Sequence, residues 1–345
     1  MGIGLPLTIA LGTVFAAVLF TDLSIWEAAI IGAMTAPTDA ALGQAVISNP
    51  RVPARIRQAL DIEAGLNDGI SFPFVLIFIG LAGPDQGPGV VETFAVAIGV
   101  AVIVGIFVGV VGGKLLVWAS RAKFMGHAWS SIAVISLALT AFILSDSLGG
   151  SGFIAAFVAG LSYGEATRDQ IKTNEALAAT IGVALVQISF LAFGALILEP
   201  SLGNLTWQVI VMAVLSLTIA RMGPVALSMI GAKLGGPTIL YMGWFGPRGL
   251  ATIVFAALVV TDADLPGTPT ISVVATVIVG MSVLLHGLTA YPGSQAYANW
   301  YQSHDDPTKL AEGKAIHHRT VSPRLPQAIN QNIDRPNVDS QNDAT

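Results

Sequence analysis

The chain contains no cysteine and very few charged residues. Without cysteine it forms neither disulfides nor thiolate metal sites. Charged residues are 11% of its 345 residues, less than half of the roughly 25% typical of a soluble domain, so they cannot cover a soluble surface. It also has no GxxxxGK[ST] nucleotide loop, and the spans described below contain no HExxH or Ser/His/Asp set. These absences argue against ATP-driven transport and against an enzyme, and the net charge of −5 gives no sign of nucleic-acid binding.

Apolar stretches of about 20 residues repeat along most of the chain, and such a stretch spans a bilayer as a helix. The buried strands of a soluble α/β protein are shorter, about 4–8 residues. The composition therefore predicts an all-α polytopic membrane protein with about 10 transmembrane helices. The candidate spans are 4–20, 25–47, 59–82, 93–118, 129–146, 150–164, 176–198, 206–231, 237–260 and 270–291.

The charges of the loops give the orientation. The loop after the second span carries Arg51, Arg55 and Arg57, whereas the next loop carries Asp85 and Glu92 and no base. Basic and non-basic loops continue to alternate along the chain. Because basic loops stay in the cytoplasm, this alternation places the basic loops and the C-terminal tail on the cytoplasmic side. The expected location is the plasma (cell inner) membrane, with a multi-pass topology.

The composition changes after the last span. Residues 292–345 are rich in Asn, Gln, Asp, Pro and Ser and have few large apolar side chains. This pattern predicts a disordered cytoplasmic tail. Residues 1–291 are predicted to form the transmembrane domain.

The third span carries Glu63, Asn67 and Asp68 within two helical turns. Ionisable groups at membrane depth are costly and are usually functional. A carboxylate there can exchange a proton for a cation that loses its water to oxygen ligands, and Asp68 is the candidate. The structural alternative is a polar network that only packs helices together.

Two other spans are interrupted by proline. Pro37 stands beside Thr38 and Asp39 in the second span, and Pro247 precedes Arg248 in the ninth. Proline removes a backbone donor and breaks a helix. These two spans run in opposite directions, and broken helices of opposite orientation indicate an inverted repeat with a site between its halves.

A single arginine, Arg221, lies deep in the eighth span. A guanidinium stays charged, so its burial requires an anionic partner. Glu63 is the first choice, and such a pair would hold two helices together rather than carry the exchange. His127 and His286 are isolated near span ends, which fits packing roles.

These residues, in this order and spacing, resemble the NhaP-type sodium/proton antiporters and the sodium/hydrogen exchangers of the cation:proton antiporter superfamily. The motifs that carry the resemblance are Pro37-Thr38-Asp39, Glu63-Ala64-Gly65-Leu66-Asn67-Asp68, Gly149-Gly150-Ser151-Gly152-Phe153 with Gly160, Arg221, and Gly246-Pro247-Arg248-Gly249. Together they extend over nearly all of residues 1–291.

The resemblance implies a role for each residue. The carboxylate of Asp68 binds cation and proton in alternation, Thr38 and Asp39 help to form the site, and an Asn-Asp pair accompanies electroneutral exchange. Sodium would lie between Asp68 and Asp39, and no cofactor is implied. Glu63 would pair with Arg221, in agreement with the charge argument above.

The resemblance also implies an architecture. Residues 1–82 and 206–291 form the inverted-repeat core with two discontinuous crossing helices, and residues 93–198 form a scaffold for a homodimer. The partners expected are the lipid bilayer and a second copy, with no nucleotide or nucleic acid.

Two departures from the family pattern stand out. Ala64 replaces a frequent serine, which leaves the ion preference among Na⁺, K⁺ and Li⁺ open. Typical members also have about three further helices before the span at 4–20. The two halves of an inverted repeat are built alike. The expectation is therefore a shortened chain.

Two other functions stay open from the sequence. One is a K⁺ efflux system or a channel-like member of the same superfamily, although such members usually carry a nucleotide-binding tail. The other is an inactive fragment that lacks its first helices.

Overall fold

The structure, a computed structural model, describes residues 2–83, 89–124, 127–167, 175–262, 265–304 and 310–313. Within these ranges the chain is helical and contains no β-strand, which confirms the all-α prediction. By length and composition, five helical segments can cross a membrane: Ala54–Ala82, Ala95–Arg121, Thr180–Asn204, Trp207–Ser228 and Thr268–Gln302. Shorter apolar helices occupy the other predicted spans.

The helices follow the predicted spans in order. The first three spans become α1 (Gly4–Leu19), α2 (Ile25–Met34), α3 (Gln44–Ile47) and α4 (Ala54–Ala82). The middle of the chain forms α5 (Gly89–Arg121), α6 (His127–Ser147), α7 (Gly152–Ala166), α8 (Glu175–Phe193), a π-helical turn (Gly194–Leu198) and α9 (Glu199–Ser201). The last part forms α10 (Trp207–Leu217), α11 (Ile219–Ser228), α12 (Gly236–Trp244), α13 (Leu250–Asp262) and α14 (Thr268–Gln302).

One end of the bundle collects the starts of α1, α4 and α12 and the end of α14; we call it the tail face. Arg51, just before α4, donates hydrogen bonds to Gln295 and Asn299 near the end of α14, at 2.6 Å each. Arg55 donates to the carbonyl of Ala311. The helix ends of both halves of the chain therefore meet at this face.

The second and ninth spans are broken as predicted. Helix α2 ends at Met34, shortly before Pro37, and the chain is non-helical over 35–43. Helix α12 ends at Trp244, and residues 245–249, which include Pro247, are not helical. Proline donates no backbone hydrogen bond and its ring crowds the preceding turn, which favours a break at each of these positions.

Helix α2 lies at the centre of the bundle. Its apolar side chains Ile30, Ile31 and Met34 are fully buried, as expected for a helix that is hydrophobic on all sides. Gly32 on α2 and Gly12 on α1 allow these helices to touch through their backbones, since a Cβ on either residue would collide with the other helix. This close contact fixes α1 against the broken helix.

Two regions differ from the sequence prediction. The eighth span is interrupted at Thr218, where a backbone ψ of −86° separates α10 from α11. The predicted tail does not begin at residue 292, because α14 continues through Pro292 to Gln302. A short 3₁₀ turn follows at Ala311–Gly313. Residues 305–309 and 314–345 of the tail lie outside the described ranges, and the division into core and scaffold stays a prediction.

Candidate functional site

The two broken spans cross each other at their breaks. The backbone N–H of Asp39 donates to the carbonyl of Pro247 at 2.7 Å. The hydroxyl of Thr252 on α13 donates to the carbonyl of Met34, the last residue of α2, at 2.8 Å. The non-helical segments 35–43 and 245–249 therefore lie directly against one another.

Each break supplies a charge to a helix end of the other. The carboxylate of Asp39 accepts the backbone N–H of Leu250 at 2.8 Å, at the start of α13. In return, Arg248 Nη1 donates to the carbonyls of Ala36 and Pro37 at 2.6 and 3.1 Å, just beyond the end of α2. An anion at a helix start and a cation beyond a helix end are both favourable, because each opposes the helix dipole.

Both carboxylate oxygens of Asp39 are occupied. One accepts the N–H of Leu250, and the other accepts the N–H groups of Ala41 at 2.7 Å and Leu42 at 3.3 Å. The contact with α13 requires glycine at position 249, since a Cβ there would overlap the carboxylate. Asp39 is thus bound into the crossing, and its predicted part in ion binding stays a prediction.

Helix α4 is attached to the first break by an amide. Asn67 Nδ2 donates to the hydroxyl of Thr38 at 2.8 Å, and the backbone N–H of Thr38 donates to Asn67 Oδ1 at 3.3 Å. Both residues are buried. This reciprocal pair fixes the register of α4 beside the broken helix and presents the following residue, Asp68, next to the crossing.

The carboxylate of Asp68 has no such partner. Its Oδ1 atom is buried and accepts no hydrogen bond from any part of the chain that the structure describes. Asp39 is the neighbouring charge that acts on it, and that charge is repulsive. A buried anionic oxygen without a donor is costly, so Asp68 is suited to take up a proton or a cation.

The structure brings Glu63 and Arg221 together as a two-pronged ion pair between α4 and α11. Nη1 donates to Oε1 at 2.5 Å, and Nη2 donates to Oε2 at 2.9 Å. The arginine side chain is 5% exposed and the glutamate side chain 22%. A Cβ on Gly246 would overlap the guanidinium, so the second break also packs on this pair.

A cavity of about 140 Å³ lies along the ion pair, between α1, α4 and α11. Glu63, Asn67 and Arg221 are among its lining residues, together with Thr8 and Ser228. The cavity is mostly apolar, but its volume leaves room for water beside the polar groups of Glu63, Asn67 and Arg221.

Helix α14 contributes two residues that sequence analysis did not assign to the site. Ser282 Oγ accepts the backbone N–H of Arg248 at 2.6 Å. His286 Nε2 lies 2.9 Å from the carbonyl of Trp244; a carbonyl only accepts, so this nitrogen donates. The two side chains thus satisfy backbone groups on both sides of the second break.

His286 therefore does more than pack, because its ring also hydrogen-bonds to the carbonyl of Trp244, the last residue of α12. The available signal was the spacing of Ser282 and His286, which are four residues apart on an apolar helix and share one face. That signal could not show which carbonyl the ring would reach.

No cluster of three or more His, Asp or Glu side chains that could hold a resident metal occurs in the described ranges. Oxygen atoms near the crossing that could contact a passing cation belong to Asp68, Asn67 and Thr38. Of these, only the carboxylate carries charge.

The chain is similar to known cation/proton antiporters. A family model described as "Sodium/hydrogen exchanger, transmembrane" matches residues 1–293. The chain is 27% identical over 286 residues to the "K(+)/H(+) antiporter NhaP2" of Shewanella sp. (strain MR-4), a match that covers 82% of this chain and 49% of the relative. It is 26% identical over 265 residues to the "Na(+)/H(+) antiporter 2" of Zygosaccharomyces rouxii, covering 71% of this chain and 32% of the relative.

A solved structure shares the fold. The sodium proton antiporter MjNhaP1 from Methanocaldococcus jannaschii superposes with a TM-score of 0.64 at 24% identity, covering 90% of this chain and 77% of the antiporter chain. The chain spans about half the length, or less, of the curated relatives described above. With the family model matching most of its residues, this polytopic helical chain belongs to the sodium/hydrogen exchanger family.

Proposed function

We propose that the chain exchanges a monovalent cation for a proton across the membrane, and that Asp68 binds the two ions in turn. The observation that carries this proposal is the unmatched carboxylate at the crossing. Arg221 neutralises Glu63, and backbone donors occupy both oxygens of Asp39. Arg248 donates from Nη1 to two carbonyls, while its Nε and Nη2 have no partner within the described residues. Asp68 Oδ1 has no donor within the described residues, so its charge is left for a transported ion.

Competition for one carboxylate couples the two fluxes. A proton on Asp68 removes the charge that holds the cation, and a bound cation keeps the proton away. Asn67 Oδ1 and Thr38 Oγ1 are held beside this position by their mutual hydrogen bonds. Exchange of one proton for one monovalent cation moves no net charge, so we propose electroneutral transport by alternating access.

For the cation we propose Na⁺, as expected from the resemblance, with K⁺ as the second candidate. Relatives named as K(+)/H(+) antiporters support K⁺, and relatives named as Na(+)/H(+) antiporters support Na⁺. The methyl group of Ala64 offers no oxygen near the crossing. Carboxylate, amide and hydroxyl oxygens are hard ligands that suit both ions.

Proton flux in reconstituted vesicles tests the proposal. The purified chain is placed in vesicles with a trapped pH-sensitive dye, and Na⁺, K⁺ or choline is added outside. We expect a pH change with an alkali cation that Asp68→Asn abolishes. Asp22→Asn is the matched control, because Asp22 is an exposed carboxylate in the loop before α2 and its loss should leave the flux unchanged.

Full flux in Asp68→Asn would overturn the assignment of the carboxylate. Cation flux without any proton movement would favour the channel-like alternative, and a parent chain that stays inert would favour the inactive fragment. A voltage-sensitive dye in the same vesicles reports net charge movement, which electroneutral exchange does not produce.

We further propose that the chain lies in the plasma membrane as a homodimer, with the tail face in the cytoplasm. Support for dimerisation comes from exposed apolar side chains on α5, such as Ile103, Phe107 and Trp118, which must contact lipid or another protein surface. Cross-linking of single cysteines at these positions, in a chain that has no other cysteine, tests the dimer. Protease access to the tail in sealed vesicles tests the orientation.

A further inference from the structure

The first half of the second broken span, α12, begins without a cap of its own. Its N-cap residue is Gly235, which has no side chain, and its first turn contains no acidic residue. The first half of the other broken span is different, since Ser24 and Glu27 form a capping box at the start of α2. A helix start leaves backbone N–H groups without partners, so α12 needs a hydrogen-bond acceptor from elsewhere in the chain.

Glu312 supplies that group from the far end of the chain. Its Oε1 accepts the backbone N–H of Gly235 at 2.8 Å and the hydroxyl of Thr238 at 2.7 Å. Only 2% of the glutamate surface is exposed. Thr238 also lies 3.1 Å from the hydroxyl of Tyr297 on α14, so the carboxylate sits in a closed, hydrogen-bonded pocket rather than on a surface.

The segment around Glu312, Leu310–Gly313, also reaches α4; we call this segment the strap. Arg55, in the first turn of α4, donates to the carbonyl of Ala311 at 2.5 Å. Gly235 packs closely against the Trp300 ring of α14, where a Cβ would lie 2.9 Å from the ring. The strap thus joins the start of α4, which carries Asp68, to the start of α12, which leads into the break that contains Arg248.

The carboxylate is held in its ionised form. Burial alone would raise the pKa of Glu312, but hydrogen bonds from the Gly235 N–H and the Thr238 hydroxyl outweigh burial, with a further contribution from the Arg55 charge, and leave the pKa below its usual value. An anion at a helix start is also favoured by the helix dipole. The cap is therefore stronger than a neutral one.

We propose that Glu312 is a positioning residue of the transporter: the strap docks at the tail face, caps α12, and so fixes the broken helix that carries the crossing. Helix α12 has only nine residues between the cap and Trp244. Movement at its start is therefore transmitted to the break. The consequence for transport rests on the proposed function, whereas docking of the strap does not.

Limited proteolysis of the full chain tests the docking. Lys309 and Lys314 flank the strap in the sequence. Trypsin binds several residues on each side of the bond that it cleaves, so a docked strap should slow cleavage at both lysines. Cleavage then follows the population of the open form. In detergent we expect Glu312→Ala to speed cleavage at these sites roughly fivefold or more, the range for loss of a cap. Glu312→Gln keeps an acceptor oxygen and should give an intermediate rate.

The control and the second readout separate docking from positioning. Glu199→Ala removes an exposed glutamate at the other end of the bundle and should leave cleavage unchanged. Hydrogen exchange of the amides in α12 should rise in Glu312→Ala and be partly restored in Glu312→Gln. In active vesicles, the cation concentration for half-maximal flux should rise most in Glu312→Ala and less in Glu312→Gln.

The possible failures are distinguishable. Unchanged cleavage in Glu312→Ala would overturn the docked strap, whatever the transport result. Faster cleavage without faster exchange in α12 would overturn the positioning role and leave Glu312 as a tail anchor. An inactive parent chain would count against the proposed function alone, since proteolysis and exchange need no transport.

Discussion

Removing one member of the Glu63–Arg221 pair should destabilise the protein unequally, depending on which member is removed. Glu63→Gln leaves a guanidinium that is 5% exposed and that cannot lose its proton. The expected loss is roughly 3–5 kcal/mol, the range for an uncompensated buried charge. Arg221 Nη2 would retain only the Met242 carbonyl, at 3.4 Å.

Arg221→Gln should be milder. The Glu63 side chain is 22% exposed and borders the cavity of about 140 Å³, so water can hydrate the carboxylate that remains. We expect a loss of roughly 1–3 kcal/mol, the value of the lost charged hydrogen bonds. The double variant Glu63→Gln/Arg221→Gln leaves no charge and should cost less than the sum of the two single changes.

Equilibrium unfolding in mixed micelles, followed by tryptophan fluorescence, measures all four proteins. The four free energies of unfolding give the coupling between the two side chains. If Arg221→Gln is as destabilising as Glu63→Gln, the role assigned to the cavity is wrong. A coupling below about 0.5 kcal/mol would show that the pair contributes no more than two independent residues.

Two further predictions concern the crossing and the strap. Gly249→Ala places a Cβ on the Asp39 carboxylate. It should therefore abolish proton flux and lower the free energy of unfolding by about 1–3 kcal/mol in the same assay. Gly99→Ala is the control, because a Cβ there meets no neighbouring atom, and it should change neither quantity. The pKa of Glu312 is lowered on docking, so its stabilisation is complete above the ordinary pKa of 4.5 and is lost only as the pH falls through the lower docked value. Arg55 is the charged residue beside it. Between pH 6 and 9 the flux profiles of the parent and Glu312→Gln should therefore have the same shape, and a shifted midpoint in the variant would refute this assignment.

The architecture could be predicted because membrane solvation leaves few choices. Spans of the right length must be helices, since lipid offers no hydrogen-bond partner to the backbone. The breaks were expected at Pro37 and Pro247, since proline lacks a backbone donor and disfavours a regular helix. The interruption at Thr218 carried no such signal, because Pro224 lies further along and its own helix, α11, continues through it.

The sequence predicted which charged residues belong to the site, but it predicted fewer of the groups that they contact. Burial required an anion for Arg221, and Glu63 was the available one. The exchange between Asp39 and Arg248, each serving a helix end of the other break, depends on how two backbones cross in space. Neither the sequence spacing nor the resemblance specifies that reciprocity, and the same holds for the donation from His286 to Trp244.

The tail was judged by composition alone, and composition averages over single residues. A polar segment lacks the apolar surface to fold by itself, yet one carboxylate can dock it when a helix start lacks a cap. The requirement was visible at Gly235 and Gly236, where no side chain could serve α12. The residue that meets it lies 77 positions from Gly235, beyond the reach of any local pattern.

This distance makes the two broken helices unequal. Glu27 caps α2 from within its own first turn, so this cap forms with the helix itself, and its second oxygen also accepts the Gly267 N–H at 2.7 Å. The cap from Glu312 closes a much longer loop than the one from Glu27, and closing a longer loop costs more chain entropy. The cap of α12 can thus open while the helix stays folded, whereas α2 keeps its local cap even if its contact with Gly267 opens. Of the two ends of this inverted pair, the one at the tail face is therefore the end where docking of another segment can alter the crossing.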